Sequence, residues 1–129
     1  MNKWLIEDGS KTLFEITTIE ELEKSLYKIK NELKDKNIII ILVHPEGHLM
    51  YIGISKSYGY LNYHDGSEEP PYYSSIGDED AEGELNFYLN GFLSEIPLKN
   101  CIPFELLVNA INEYFKTSEL PNIIKWEED

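Results

Sequence analysis

The sequence predicts an α+β protein: one mostly antiparallel sheet with two packed helices, in a single domain over residues 1–129. Three observations carry that expectation. Two segments repeat apolar residues at helical spacing. Several others are β-branched or alternate with period two, and turn chemistry separates successive strand candidates. A chain of 129 residues suits one core, and a hydrophobic content of 42% suffices to build it.

Residues 3–16 read as one or two short strands, with Asp8-Gly9 as the turn between them. Thr18-Ile-Glu-Glu21 is a capping box, in which the Thr hydroxyl and the Glu carboxylate each accept from a free amide of the first turn. Ile19, Leu22, Leu26, Ile29 and Leu33 then fall on one helical face, and the helix is expected to stop near residues 34–37. Residues 38–43 form a continuous β-branched run, predicting a strand buried on both faces. Pro45-Glu46-Gly47 supplies a turn, and residues 49–55 return as a second strand. Residues 58–63 alternate as a third strand, with a sheet edge as one option for its place, and residues 65–75 read as a loop around Pro70-Pro71.

Residues 83–90 alternate again, with Leu85, Phe87 and Leu89 on one face and Glu84, Asn86 and Tyr88 on the other. Asn90-Gly91 is a hairpin turn, from which residues 92–96 pair back. A second helix is expected over residues 103–117, because Pro103 fits a first turn and Phe104, Leu107, Val108, Ile111, Tyr114 and Phe115 form a stripe. Residues 123–126 close the chain as a short strand.

Charge narrows the function. Eleven basic residues, all Lys, face twenty-four acidic ones, for a net charge of -13. That balance repels nucleic-acid phosphates and anionic membranes and draws basic partners, so direct nucleic-acid or membrane binding is not expected. A single cysteine and an N-terminus without a long apolar stretch predict a soluble, cytoplasmic chain. Oligomeric state is not encoded in any readable pattern, and a monomer is the simpler expectation.

Catalytic and metal chemistry find little support. His44 and His48 have zinc-helix spacing, but Pro45 and Gly47 between them make a turn, so both read as turn or surface histidines. Residues 78–83 resemble the opening of a calcium loop, yet the twelfth position is Leu89 rather than a bidentate Glu. Cys101 reads as a small buried residue at a helix start, without a nearby histidine to activate it. No catalytic residue, metal or cofactor is therefore assigned.

The strongest constellation is a segment. Between Lys56 and Lys99 the only basic side chain is His64, while nine acids and six tyrosines occupy the same stretch. Tyrosines beside acids provide rigid amphipathic anchors together with charges that steer a basic partner. The candidate partner-binding residues are Tyr60, Glu68, Glu69, Tyr72, Tyr73, Asp78, Glu79, Asp80, Glu82, Glu84 and Tyr88. The competing reading is a solvated acidic loop whose tyrosines partly fill the core.

An ordered series of pieces follows in the second half. It comprises Ser74-Ser-Ile-Gly77, Glu84-Leu-Asn-Phe-Tyr88-Leu-Asn-Gly91, Glu95-Ile-Pro97, Ile102-Pro103, Ala110 with Tyr114-Phe115, Leu120-Pro121 and Lys125-Trp126-Glu127. Over residues 74–128 this resembles the first-numbered family of immunity proteins from bacterial polymorphic toxin systems. The resemblance implies a protein that binds a cognate toxin domain directly, often a nucleic-acid deaminase, and neutralises it. The matching Gly77, Phe87, Gly91, Pro97 and Trp126 look like fold signatures rather than toxin contacts. Phe92 departs from the small or polar residue that the family often carries there. A generic acidic module for some other basic protein, or a small enzyme, remain the rival readings.

Overall fold

A computed structural model describes residues 3–67 and 69–129; Glu68, one of the candidate binding residues, lies outside them. The described chain is α+β, a single, mostly antiparallel sheet of ten strands with two helices. In order these are β1 (Trp4–Glu7), β2 (Thr12–Ile16), α1 (Ile19–Asn31), β3 (Asn37–Val43), β4 (Leu49–Ile54), β5 (Tyr58–His64) and β6 (Tyr73–Ile76). Then follow β7 (Glu84–Leu89), β8 (Phe92–Pro97), a 3₁₀ turn (Leu98–Asn100), β9 (Cys101–Pro103), α2 (Phe104–Thr117) and β10 (Lys125–Glu128).

The main path across the sheet runs β10-β6-β5-β4-β3-β1-β2. Directly opposed residues share a face, so Ile40 and Leu42 on β3, Ile52 and Met50 on β4, and Leu61 and Tyr63 on β5 point the same way. Both helices pack there. Leu22, Leu26 and Ile29 of α1 and Phe104, Leu107, Val108, Ile111 and Tyr114 of α2 complete the main core. Gly59 makes the close approach possible, because a Cβ at that position would run into Leu107 Cδ1. The capping box forms as the sequence predicts: Glu21 N–H donates to Thr18 Oγ1 at 3.1 Å, and Thr18 N–H donates to Glu21 Oε1 at 3.0 Å. At the far end of α2, Ser118 turns the chain with φ 60° and its N–H donates to Tyr114 O.

Two central strands split one of their edges between two partners. On β3, residues 41–43 pair antiparallel with β1, whereas Asn37 and Ile38 pair parallel with β7. On β5, residues 58–60 pair with β9 and residues 62–63 with β6. The chain from β7 through β9 therefore arches over the second face of the sheet. It encloses a small core of Ile39, Phe87 and Cys101, flanked by Tyr51, Tyr60, Leu85, Leu89, Ile96 and Leu98. Gly53 is the seat for this arch, since a Cβ there would lie 3.0 Å from the Phe87 ring.

Several sequence expectations need correction. The strand over residues 58–63 is interior, because the β9 and β6 segments that shield its outer edge are distant in sequence. The end of the expected loop over residues 65–75 is strand β6, paired on one side with β5 and on the other with β10. The β3 run is covered on both faces only around Ile39 and Ile40; Ile41 and Val43 are half-buried on the second face. His44 is not a surface residue but is 6% exposed, packed edge-on to Trp4 at 4.6 Å between ring centroids. Cys101 is buried as expected, but in strand β9 rather than in a helix start.

Candidate interaction surface

The second face is only half covered. Beyond the β7–β8 hairpin, Leu5, Ile41, Val43, Leu49 and Tyr51 are half-buried, sharing one face by register from β1 to β4. Across β5 and β6 the same face continues through Tyr60, Asn62, His64, Tyr72 and Ser74. A cleft of about 220 Å³ separates Ser94 and Ile96 of β8 from Tyr51, Tyr60, Asn62 and His64 on the floor, with Ile39 and Leu89 also lining it.

The floor is rigidly organised. Tyr72 stacks on His64 with ring centroids 4.1 Å apart, and Tyr51 lies 4.8 Å from the same imidazole. Tyr60 OH and Ser74 Oγ are 3.1 Å apart, while Asn62 Nδ2 donates to Ser74 Oγ at 2.8 Å and to Asp129 Oδ2 at 2.9 Å. Burial pushes the Tyr60 phenol above its usual pKa, so it remains a neutral donor and acceptor. Burial also holds His64 below the usual imidazole value, although Asp129 and Asp65 oppose the shift. The arrangement offers flat aromatic surface with polar edges, a composition that suits contact with another protein.

The structure disperses the remaining candidate residues. Asp78, Glu79, Asp80 and Glu82 occupy one exposed turn that leads into Glu84, the exposed first residue of β7. Asp78 organises that turn, its carboxylate accepting from Asp80 N–H at 3.0 Å. Glu79 pairs loosely with Lys125 at 3.8 Å. Tyr73 opposes Tyr63 across β5 and β6 and so faces the helices, away from Tyr60 and Tyr72. Tyr88 opposes Ile38 and lies beneath Lys36, whose Nζ is 4.8 Å from the ring centroid. Glu69 is exposed beside the Pro70-Pro71 segment. Tyr60 and Tyr72 thus share one surface, the five acids share another, and Tyr73 and Tyr88 belong to neither.

Sequence reasoning missed five residues. Asn62 and His64 were not singled out for the surface, although their alternation with Tyr60 places all three on one face. Asn100 carried no legible signal; it is 4% exposed, and its amide donates to Ser75 O at 2.9 Å and Glu127 Oε2 at 2.9 Å. Phe92 and Leu93, at the hairpin tip, are 75% and 52% exposed. Lysines gather elsewhere, five of the eleven falling within residues 24–36.

No helix among the described residues is long and apolar enough to cross a membrane. No curated protein matches the chain. The family model described as Immunity protein Imm1 matches residues 11–128, extending the resemblance of the C-terminal half across nearly the whole chain. The chain therefore belongs to the Imm1 family of immunity proteins, which points to a role in immunity against a toxin.

Proposed function

We propose that this protein neutralises a nucleic-acid-targeting toxin, a deaminase or a nuclease, by binding its domain and covering its basic substrate groove. The observation that carries this reading is the one-signed charge of residues 57–98, which contain nine acids and no lysine. A domain that handles DNA or RNA must attract phosphates, so an acidic protein competes for the same groove. The exposed turn of Asp78, Glu79, Asp80 and Glu82 is well suited to steer the encounter, and Tyr60 and Tyr72 to anchor it. A stable complex of this kind covers about 1,600 Å² in total.

The test uses the cognate toxin domain, to be sought in the reading frame beside that of this chain. The purified protein should abolish that domain's activity on DNA or RNA at near-equimolar amounts. Replacing Asp78, Glu79, Asp80 and Glu82 with Asn, Gln, Asn and Gln should slow association about tenfold or more at low salt and flatten its salt dependence. Unchanged association at low salt would refute the electrostatic part of the reading.

A further inference from the structure

Among the described residues four strands, β2, β8, β9 and β10, pair on one side alone, and they are not equally protected; β9 is only three residues long. The edge strand β10 carries Lys125, Glu127 and Glu128, and β2 is bulged against β1 and flanked by Lys11. Lysine, charge and bulges are the usual means of preventing an exposed edge from pairing with another chain. Strand β8 has no lysine and no bulge, and its one charge is Glu95. It pairs only with β7, in unbroken register, and its sequence Phe-Leu-Ser-Glu-Ile-Pro has one acid and no base.

The hairpin geometry shows which backbone groups are free. Asn90 and Gly91 have φ 50° and 86°, the signature of a two-residue type I′ turn closed by the Leu89–Phe92 pair. Hydrogen-bonded pairs alternate from that closing pair, so Phe92, Ser94 and Ile96 exchange their N–H and C=O groups with β7. Leu93 and Glu95 direct theirs outward. No hydrogen bond from another element reaches either residue among the described residues.

We propose that β8 is a docking edge, to which an extended basic segment of the toxin adds as a further strand. This rests on the immunity reading above. Strand addition obtains affinity from main-chain hydrogen bonds and selectivity from alternate side chains. Here the edge supplies both. Leu93 and Phe92 offer apolar contact at the tip, and the cleft beside Ser94 and Ile96 can receive inward-facing side chains over Tyr51 and Tyr60. Charge complementarity selects the occupant. Glu95 lies on the strand itself, Glu84 opposes Pro97 at its end, and the acidic turn of residues 78–82 leads into Glu84. An added strand is therefore best matched with apolar residues near the hairpin tip and lysines or arginines near its base.

Proline substitution isolates the backbone term, because Leu93→Pro and Glu95→Pro remove N–H groups that β7 does not use, and proline is tolerated on strand edges. With the cognate toxin domain as probe, each should weaken binding by about 30-fold or more, whereas Leu93→Val and Glu95→Gln should change it by less than about fivefold. Hydrogen exchange on the wild-type complex provides a reading independent of any variant. The Leu93 and Glu95 amides should slow at least about tenfold on binding, while those of Phe92 and Ser94, already bonded to β7, change little. Wild-type binding with both proline variants within about twofold, or unprotected Leu93 and Glu95 amides in the complex, would overturn strand addition and leave the immunity reading intact. Failure of the wild-type chain to bind the toxin domain would overturn both. A homodimer in sedimentation that Leu93→Pro dissolves would make a second copy the occupant instead of the toxin.

Discussion

The two faces of the sheet are packed by different means. On one, two amphipathic helices lay continuous stripes that bury Ile40, Leu42, Ile52 and Leu61 completely, leaving Leu33, Ile38 and Tyr63 half-buried at the margins. On the other, a single hairpin returns across the strands and buries three residues completely enough to count as core, leaving the rest of the face half-exposed. Each contact surface is seated on one glycine, Gly59 under Leu107 and Gly53 under Phe87. The difference separates work between the faces: stability resides under the helices, and surface available to a partner remains beside the hairpin.

The comparison can be broken most directly at Phe87, which is fully buried between Ile39 and Gly53. Phe87→Ala should cost about 3–5 kcal/mol of stability if the hairpin belongs to the same cooperative unit as the helical core. An urea-unfolding midpoint that barely moves, with fast exchange confined to β7 and β8, would instead make the second face a separate local unit. A smaller contrast comes from the two glycines. Gly59→Ala forces its methyl against Leu107 in the main core and should cost about 1–3 kcal/mol. Gly53→Ala meets the Phe87 ring edge at 3.0 Å, where a movable hairpin can yield, and should cost less, about 1 kcal/mol. Equal losses in thermal unfolding would show that the hairpin is held as rigidly as α2.

The smallest effect is one of pH. Burial, then the adjacent His48 ring, hold His44 below the usual imidazole pKa, and burial does the same for His64. Both rings stay neutral in the folded chain while the unfolded chain takes up protons as pH falls through about 6.5. Stability should therefore be level above about pH 7 and decline between about pH 6.5 and 5. His44→Gln and His64→Gln should each flatten part of that decline; Glu46 offsets some of the burial of His44, and Asp129 and Asp65 some of that of His64. The lowered pKa values of Asp8, Glu21 and Asp65 act mainly below about pH 5, beneath this window.

The helical face was legible in the sequence because its signals are local. The Thr18 capping box, the period of Leu22, Leu26 and Ile29, and the stripe from Phe104 to Tyr114 are each complete within one segment. The Asn90-Gly91 turn was equally plain. Pairings formed at long range were not. Residues 58–60 gained an interior position only through β9, some forty positions away, and Tyr73 is held in a strand by Tyr63 of β5 on one side and Glu128 of β10 on the other. The candidate surface divided for the same reason: acids and tyrosines adjacent in sequence alternate between faces once they enter strands, so Tyr72 and Tyr73 point in opposite directions. Charge concentration was readable from composition, whereas the side of the sheet each tyrosine serves required the register.

Cys101 lies beneath the arch beside Phe87, its Sγ 3.8 Å from Pro97 O, and burial pushes its thiol pKa up to about 11. At pH 8 only about one thiol in a thousand is ionised, so the closed molecule is nearly inert to alkylating reagents. As the only sulfhydryl in the chain, it serves as a built-in stopwatch: each labelling event records one lifting of the arch, and a ligand clamping the hairpin slows the clock.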